Sequence, residues 1–328
     1  MPVNVSFGDI SPRTAAYAAT DLLARGLPFL VLEKFGQAKT LPSNESKTIK
    51  FRRYSALPNT PTALTEGVTP AGTPLTFVDV TANLVQYGNL IQVSDVVYDT
   101  HEDPVLRAAT DLLGEQAAQM VEKMRFGILK AGTNAMFANG ALRTAVNTPL
   151  TLVLQRRATR ALKRQNARLI TKVIRSTVAF GTENVAPGYV GLIHPDCESD
   201  VRSLAGFTPA EKYGTITPWE NELGKCEDVR YVTSTIFEPF PNAGGVKGTM
   251  LSTTGTAADV YPILYIGADA YGIVALKGAF AITPMVVNCR PSDSDPLAQR
   301  GSIGWKTMQT AVILNDAWIV RVEAAATE

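Results

Sequence analysis

LTFVDVTANLVQYGNLIQVSDVV, residues 75–97, decides how this chain has to be read. Phe77, Val78, Val80, Leu84, Val85, Tyr87, Leu90, Ile91 and Val93 make the segment strand-rich and too apolar to hang free in water, so it demands a partner surface. Upstream, residues 48–54 alternate Ile49 and Phe51 against Lys50 and Arg52, which reads as another strand. Between the two, about twenty residues carry Pro58, Pro61, Pro70, Pro74, Gly67 and Gly72, and compact domains rarely hold so long a connection without a function for it. The expected product is a long β-arm.

Working outward, the strongest helix signal follows at residues 104–131, with Asp103 as cap, Pro104 at the first position and Gly132 past the end. Leu106, Leu113, Ala117, Met120, Met124 and Ile128 form its apolar stripe, and at ~1.5 Å per residue it runs roughly 40 Å, a spine. Thr148 and Pro149 open a second amphipathic helix. Leu150, Val153, Leu154, Ala161 and Leu162 face inward there, and Arg156, Arg157, Arg160, Lys163 and Arg164 outward. Ahead of the arm, Ser11 and Pro12 start a short helix from Arg13 to Arg25, stopped by Gly26, and residues 27–46 read as extended chain without a core of its own. From Tyr189 onward strands dominate, at 189–193, 229–237, 260–266, 272–276 and 281–289, with a short helix from Asp196 towards Leu204. Residues 305–314 and 317–322 flank Asn315 and Asp316, types that tolerate positive φ, and predict a C-terminal hairpin.

The 328 residues, 45% hydrophobic, suffice for one large or two modest cores. No run approaches the ~20 apolar residues of a membrane-spanning helix, so no membrane partner is expected. Residues 1–10 lack the pattern of a secretory signal, and Cys197, Cys226 and Cys289 match no zinc spacing, so free thiols in a reducing cytoplasm are expected. A net charge of +1 conceals segregation: residues 123–182 hold twelve Lys or Arg and no Asp or Glu, leaving 19 basic against 30 acidic residues elsewhere. Such a block can be a solvated helix face, a surface between subunits or a lining that faces DNA. Aromatic residues are nearly absent from 140–178, which disfavours stacking on bases and leaves phosphate attraction.

Catalytic constellations are weak. Asp99, His101, Glu102 and Asp103 precede the spine helix, and His194, Asp196 and Glu198 a shorter one; helix capping and dipole complementarity account for both clusters. There is no Gly-x-Ser-x-Gly elbow, and Gly224-Lys225-Cys226 lacks the remainder of a phosphate-binding loop. No enzyme activity, cofactor or metal is expected.

Asp295-Pro-Leu-Ala-Gln-Arg-Gly-Ser-Ile-Gly-Trp-Lys306, continuing through Ala311-Val-Ile-Leu-Asn-Asp-Ala-Trp318 and Val320-Arg-Val-Glu323, resembles the major capsid proteins of tailed bacteriophages. The N-four-like group, with the Hong Kong 97-type fold, is the part of that family it resembles. Ser11-Pro-Arg-Thr-Ala-Ala-Tyr17, Leu32-Glu-Lys-Phe-Gly-Gln37, Leu64-Thr-Glu-Gly-Val68, Ile193-His-Pro-Asp196 and Val260-Tyr-Pro262 support it in the right order, so the likeness spans nearly the whole chain. The resemblance implies an α+β fold divided as N-terminal arm (1–46), extended β-loop and its base (47–97), peripheral domain with the spine helix (98–180), axial domain (181–270), and a return to the peripheral domain with the C-terminal hairpin (271–328).

It further implies a structural protein of the virion that assembles in the host cytoplasm into hexamers and pentamers of an icosahedral head enclosing double-stranded DNA. Partners would be many copies of itself, separate scaffolding, portal and decoration proteins, and packaged DNA held without sequence preference. Because the chain runs from Met1 directly into the arm, a separate scaffold or unassisted assembly is expected. Lys50, Arg52, Arg53, Glu66 and Phe77 are the expected intersubunit contacts; Arg156, Arg157, Arg160, Lys163 and Arg164 are the basic surface, facing either subunits or DNA. Some relatives cross-link their loops through Lys and Asn; Lys47, Lys50 and Asn59 offer the types but only Glu66 an acid, and no cross-link is expected. The alternatives are an encapsulin-like compartment shell and, from another class, a metal-dependent α/β enzyme using residues 99–103.

Overall fold

The computed structural model describes residues 30–328, apart from positions 43, 62, 70–71, 97–104, 175–181, 215–216, 277–281, 288–290 and 292–294. The helix expected at 13–25, the cluster at 99–103, the capping pair Asp103 and Pro104, and Cys289 lie outside the described residues.

In chain order, β1 (Gln37–Leu41), β2 (Thr48–Tyr54), β3 (Phe77–Asn83) and β4 (Val85–Ser94) lead into helix α1 (Val105–Leu129). Then come β5 (Ala135–Phe137), helix α2 (Leu152–Arg164), β6 (Ile170–Ile174), β7 (Thr182–Ile193), the short helix α3 (Glu198–Arg202), β8 (Phe207–Pro209), β9 (Glu222–Cys226), β10 (Val229–Thr233) and β11 (Tyr261–Ile266). β12 (Tyr271–Leu276), β13 (Ile282–Val287), β14 (Arg300–Ile313) and β15 (Ile319–Ala324) follow.

β14 is the axis of a five-stranded sheet. Along one edge it pairs antiparallel with β4, from Arg300 opposite Ser94 to Gln309 opposite Val85; along the other it takes β13 and then β12, and β12 carries β1 in parallel. A second sheet runs β5-β15-β11-β7-β10-β9-β8, with β6 also paired to β7. β2 and β3 form a separate antiparallel pair.

Helix α1 joins the two larger sheets. Ala109, Leu113 and Ala117 pack on Ile303 and Trp305 of β14, while Phe126 and Leu129 near its end enter a core with Phe237, Ile266 and Tyr271. Its 25 residues at ~1.5 Å each give roughly 37 Å, enough to span both cores. Helix α2 lays Leu154, Ala158 and Leu162 against Tyr189, Tyr231, Tyr265 and Val320 of the second sheet. Its cap is Thr151, whose hydroxyl accepts from the Leu154 N–H at 3.3 Å, so the cap lies three residues beyond the expected Thr148.

Three expectations need correction. The C-terminal hairpin does not form: β14 and β15 belong to different sheets, and the N–H groups of Leu314 and Asn315 both donate to Ala270 O, at 2.9 and 3.1 Å, which turns the chain from one sheet to the other. The apolar limb 75–97 is not wholly without a local partner, because β4 is zipped to β14 over ten residue pairs and Val80 and Ala82 pack beside that sheet; only its start, with Leu75, Phe77 and Val78 exposed, projects. Residues 30–41 find a core in their own chain, with Leu30, Val31, Leu32 and Phe35 buried and β1 added to β12. The sheets also cut across the boundaries at 180/181 and 270/271. β5, α2 and β6 lie with the second sheet, and so does β15.

Candidate functional site

The β2–β3 pair has two unlike faces, as alternation in a strand requires. On one face Ile49, Phe51, Val80 and Ala82 cluster with Leu41, Leu84 and Val274, so the root of the arm is fastened to the five-stranded sheet. The Phe51 ring lies where Gly272 of β12 has no side chain. On the other face Arg52 stands directly opposite Asp79 and donates to both carboxylate oxygens, Nε to Oδ1 at 2.8 Å and Nη2 to Oδ2 at 2.9 Å. Its guanidinium carbon lies 4.1 Å from the Phe77 ring centroid, and Phe77 meets Tyr54 edge to face at 6.4 Å. The hydrogen bonds to Asp79 raise the Arg52 pKa, and the same bonds hold the Asp79 carboxyl below its usual range.

Beyond the Tyr54–Phe77 pair the chain carries apolar groups into solvent. Leu57, Leu64, Val68 and Leu75 are 58%, 75%, 63% and 62% exposed. Glu66 and Gly67 make the outer turn, Gly67 at φ +77°, and Val68 N–H donates to Thr65 O at 3.2 Å. The predicted contact residues are therefore spread out: Lys50, Arg52 and Phe77 share one face, Arg53 lies on the opposite one beside Val78, and Glu66 marks the outer turn. Asp79, which organises the first group, was hidden because its register against Arg52 depends on strand pairing.

The basic helix is amphipathic, but its buried face departs from the expected one: Val153, expected inward, is 77% exposed, and Gln155 and Thr159 are buried instead. Arg156, Arg157, Arg160, Lys163 and Arg164 are all exposed, while Leu154, Gln155, Ala158, Thr159 and Leu162 are buried. The tight β9–β10 turn brings two acids alongside: Glu227 accepts from Arg156 Nε at 2.8 Å and Asp228 pairs with Lys163. Those ion pairs raise the pKa of both Arg156 and Lys163. An open groove between helix and turn is lined by Arg156, Thr159, Arg160, Lys163, Arg164 and Glu227.

A buried polar cluster lies at the beginning of the described chain. Glu122 of α1 is fully buried and accepts from the N–H groups of Val31 and Leu32 at 3.1 and 2.8 Å. Arg125, one turn on, donates to Gln309 Oε1 at 2.9 Å and to Glu33 Oε2 at 3.4 Å, and Tyr271 donates to Leu32 O at 2.5 Å. Burial pushes the Glu122 carboxyl up to about 7. Glu122 stands in the mixed stretch Val121-Glu-Lys-Met-Arg-Phe126, where nothing local marks it as buried.

The cluster at 99–103 lies outside the described residues, and His194, Asp196 and Glu198 are not placed together to hold a metal ion. Asp196 lies with Oδ2 3.1 Å from His194 Nδ1 and accepts from the Tyr261 hydroxyl at 2.6 Å, an arrangement complete in itself. Among the described residues no group of three or more His, Cys, Asp or Glu is placed to hold a metal ion. Cys197 and Cys226 are free and buried, and burial raises both thiols.

Solved structures of similar fold include phage capsids. The capsid of Ralstonia phage GP4 matches with TM-score 0.69 at 14% identity, over 89% of this chain and 87% of that one. The capsid of cyanophage Pam1 gives 0.64 at 12% identity over 93% of each chain, and that of cyanophage P-SCSP1u 0.60 at 13% over 91% and 89%. No curated protein sequence matches. Neither an encapsulin-like compartment nor a metal-dependent enzyme finds support in these likenesses. At the level of sequence, the family described as phage capsid protein matches residues 78–322, three quarters of the chain, and this protein therefore belongs to the phage capsid proteins.

Proposed function

We propose that this structural capsid protein builds its shell by laying the hairpin of β2 and β3, with its outer loop 55–76, onto a neighbouring copy. The carrying observation is the contrast along that hairpin. Its root is anchored by Phe51, yet Tyr54, Leu57, Leu64, Val68, Leu75 and Phe77 remain exposed, and a monomer seldom presents so extended an apolar surface to water. Burying it against a second copy would recover roughly 25 cal/mol per Å² of apolar area. A projecting element and the surface that receives it differ, so the contact is heterologous, the kind that forms rings when its rotation closes, as hexamers and pentamers of an icosahedral head require.

In this reading Lys50, Arg52, Arg53, Glu66 and Phe77 are contact residues, and the second sheet with α2 is the axial body around which subunits ring. Scaffolding, portal and decoration proteins and double-stranded DNA are its partners, and assembly takes place in the host cytoplasm. Electron microscopy of the purified chain, alone and with scaffold, tests it. Closed particles with pentamers and hexamers are expected. A protein that stays monomeric at high concentration under both conditions overturns it.

A further inference from the structure

Helix α2 carries more positive charge than its own chain neutralises. Arg156, Arg160 and Arg164 recur every fourth residue, so they stack on one stripe at ~6 Å steps, with Arg157 and Lys163 flanking it. Like charges at that spacing weaken a helix. The β9–β10 turn relieves only part of the repulsion, because Glu227 takes Arg156 and Asp228 takes Lys163. Arg157, Arg160 and Arg164 are exposed, and among the described residues they have no carboxylate partner.

The composition of the face indicates the kind of anion. Of the apolar residues among the basic ones, Ala158 and Leu162 are fully buried and Ala161 is half-buried; Val153 is exposed at the start of the stripe, and no aromatic residue occurs between Leu152 and Arg164. Protein interfaces have an apolar centre in which aromatic residues are enriched; this face has a single exposed valine at its edge and no aromatic residue. Nucleic-acid interfaces are polar and strongly positive. Without aromatics to stack on bases, phosphate is what remains to be recognised.

We propose that Arg157, Arg160 and Arg164 bind the phosphate backbone of duplex DNA without reading its sequence. The choice of DNA as the polyanion rests on the shell reading above; the anion-binding face rests on the geometry of α2 alone.

The test is the salt dependence of binding between the full-length chain and duplexes of about 20 base pairs of mixed sequence. Each phosphate neutralised contributes about 0.9 to the slope of log K against log salt. Replacing all three residues, R157Q/R160Q/R164Q, is expected to lower the slope by about two to three, equally for unrelated sequences, and the triple Lys replacement to retain it. Glu227→Gln frees Arg156 and is expected to raise the slope by about one, a gain that a misfolded protein cannot imitate. No DNA binding by the wild-type chain, or equal slopes in wild type and both charge variants, overturns the proposal. Loss of particles in the triple Gln variant with an unchanged slope also overturns it, and assigns the face to a neighbouring copy. Failure of the shell reading is visible separately, as absence of wild-type particles whatever the slopes.

Discussion

Phe51 and Gly272 touch across two sheets: the Phe51 ring fills the space of the side chain that β12 lacks, and a Cβ at position 272 would stand 2.8 Å from Cζ of that ring. The contact fastens the arm to the body. Gly272→Ala should overpack this joint and cost about 1–3 kcal/mol, read as a lower urea midpoint. Cleavage by protease within residues 55–76 should accelerate as the root loosens. An unchanged midpoint and an unchanged cleavage rate would show that the arm is held elsewhere.

Arg52 and Asp79 lie on the exposed face of the same hairpin, where ion pairs contribute little to stability. Their effect should be orientational, because the shared hydrogen bonds hold the guanidinium over Phe77. Asp79→Asn should leave the urea midpoint unchanged within replicate error while raising the protein concentration needed for particles to form. The Asp79 pKa is lowered, so the pair persists from neutral pH down to the usual carboxylate range and is lost as pH falls through the depressed value. Light scattering against concentration for both proteins at pH 7 decides it, and identical thresholds would refute an orienting role.

The outer loop separates assembly from folding more sharply. Leu64, Val68 and Leu75 are exposed in the single chain, so replacing all three with Ser removes nothing from a core. Unfolding stability should shift by no more than about 0.5 kcal/mol per site. Particles seen by electron microscopy should disappear. Normal particles from the triple variant would place the intersubunit grip outside this loop.

How much of this was legible before folding depends on how local the determinant is. The arm announced itself through Pro58, Pro61, Pro74 and Gly67 between two apolar strands, and α2 through its period, because both signals lie within a few turns of chain. Partners distant in sequence were not legible. β4 finds β14 across more than two hundred residues, and Arg156 and Lys163 find Glu227 and Asp228 across 71 and 65. The C-terminal hairpin shows the same limit. Asn315 and Asp316 do mark a turn, but a turn says only that the chain changes direction; β14 pairs with β4, β12 and β13, and β15 with β11 and β5, which leaves the two strands unpaired with each other. Glu122 follows the same limit, because what buries it is the distant segment 30–35, whose Val31 and Leu32 amides donate to it.

That burial makes Glu122 the group through which pH should act on the fold. Its Oε1 accepts from Val31 and Leu32, and its Oε2 has no hydrogen-bond partner among the described residues. Desolvation raises its pKa from 4.5 to about 7; Arg125 and the two backbone amides oppose the rise, Glu33 adds to it, and the Tyr271 hydroxyl lies on the same cluster. A folded-state pKa above the unfolded one means that the folded protein holds the proton more tightly. Its stabilising contribution is complete below pH 4.5 and is lost as pH rises through 7. A rise of that size corresponds to about 3 kcal/mol across the window. Glu122→Gln keeps an acceptor for both amides and carries no charge, so it should remove this pH dependence. Urea unfolding of wild type and variant at pH 5 and pH 8 isolates the effect, since the other carboxylates are common to both. The wild type should fall by about 2.5 kcal/mol relative to the variant between the two pH values, and parallel profiles would show that Glu122 is not the group that titrates.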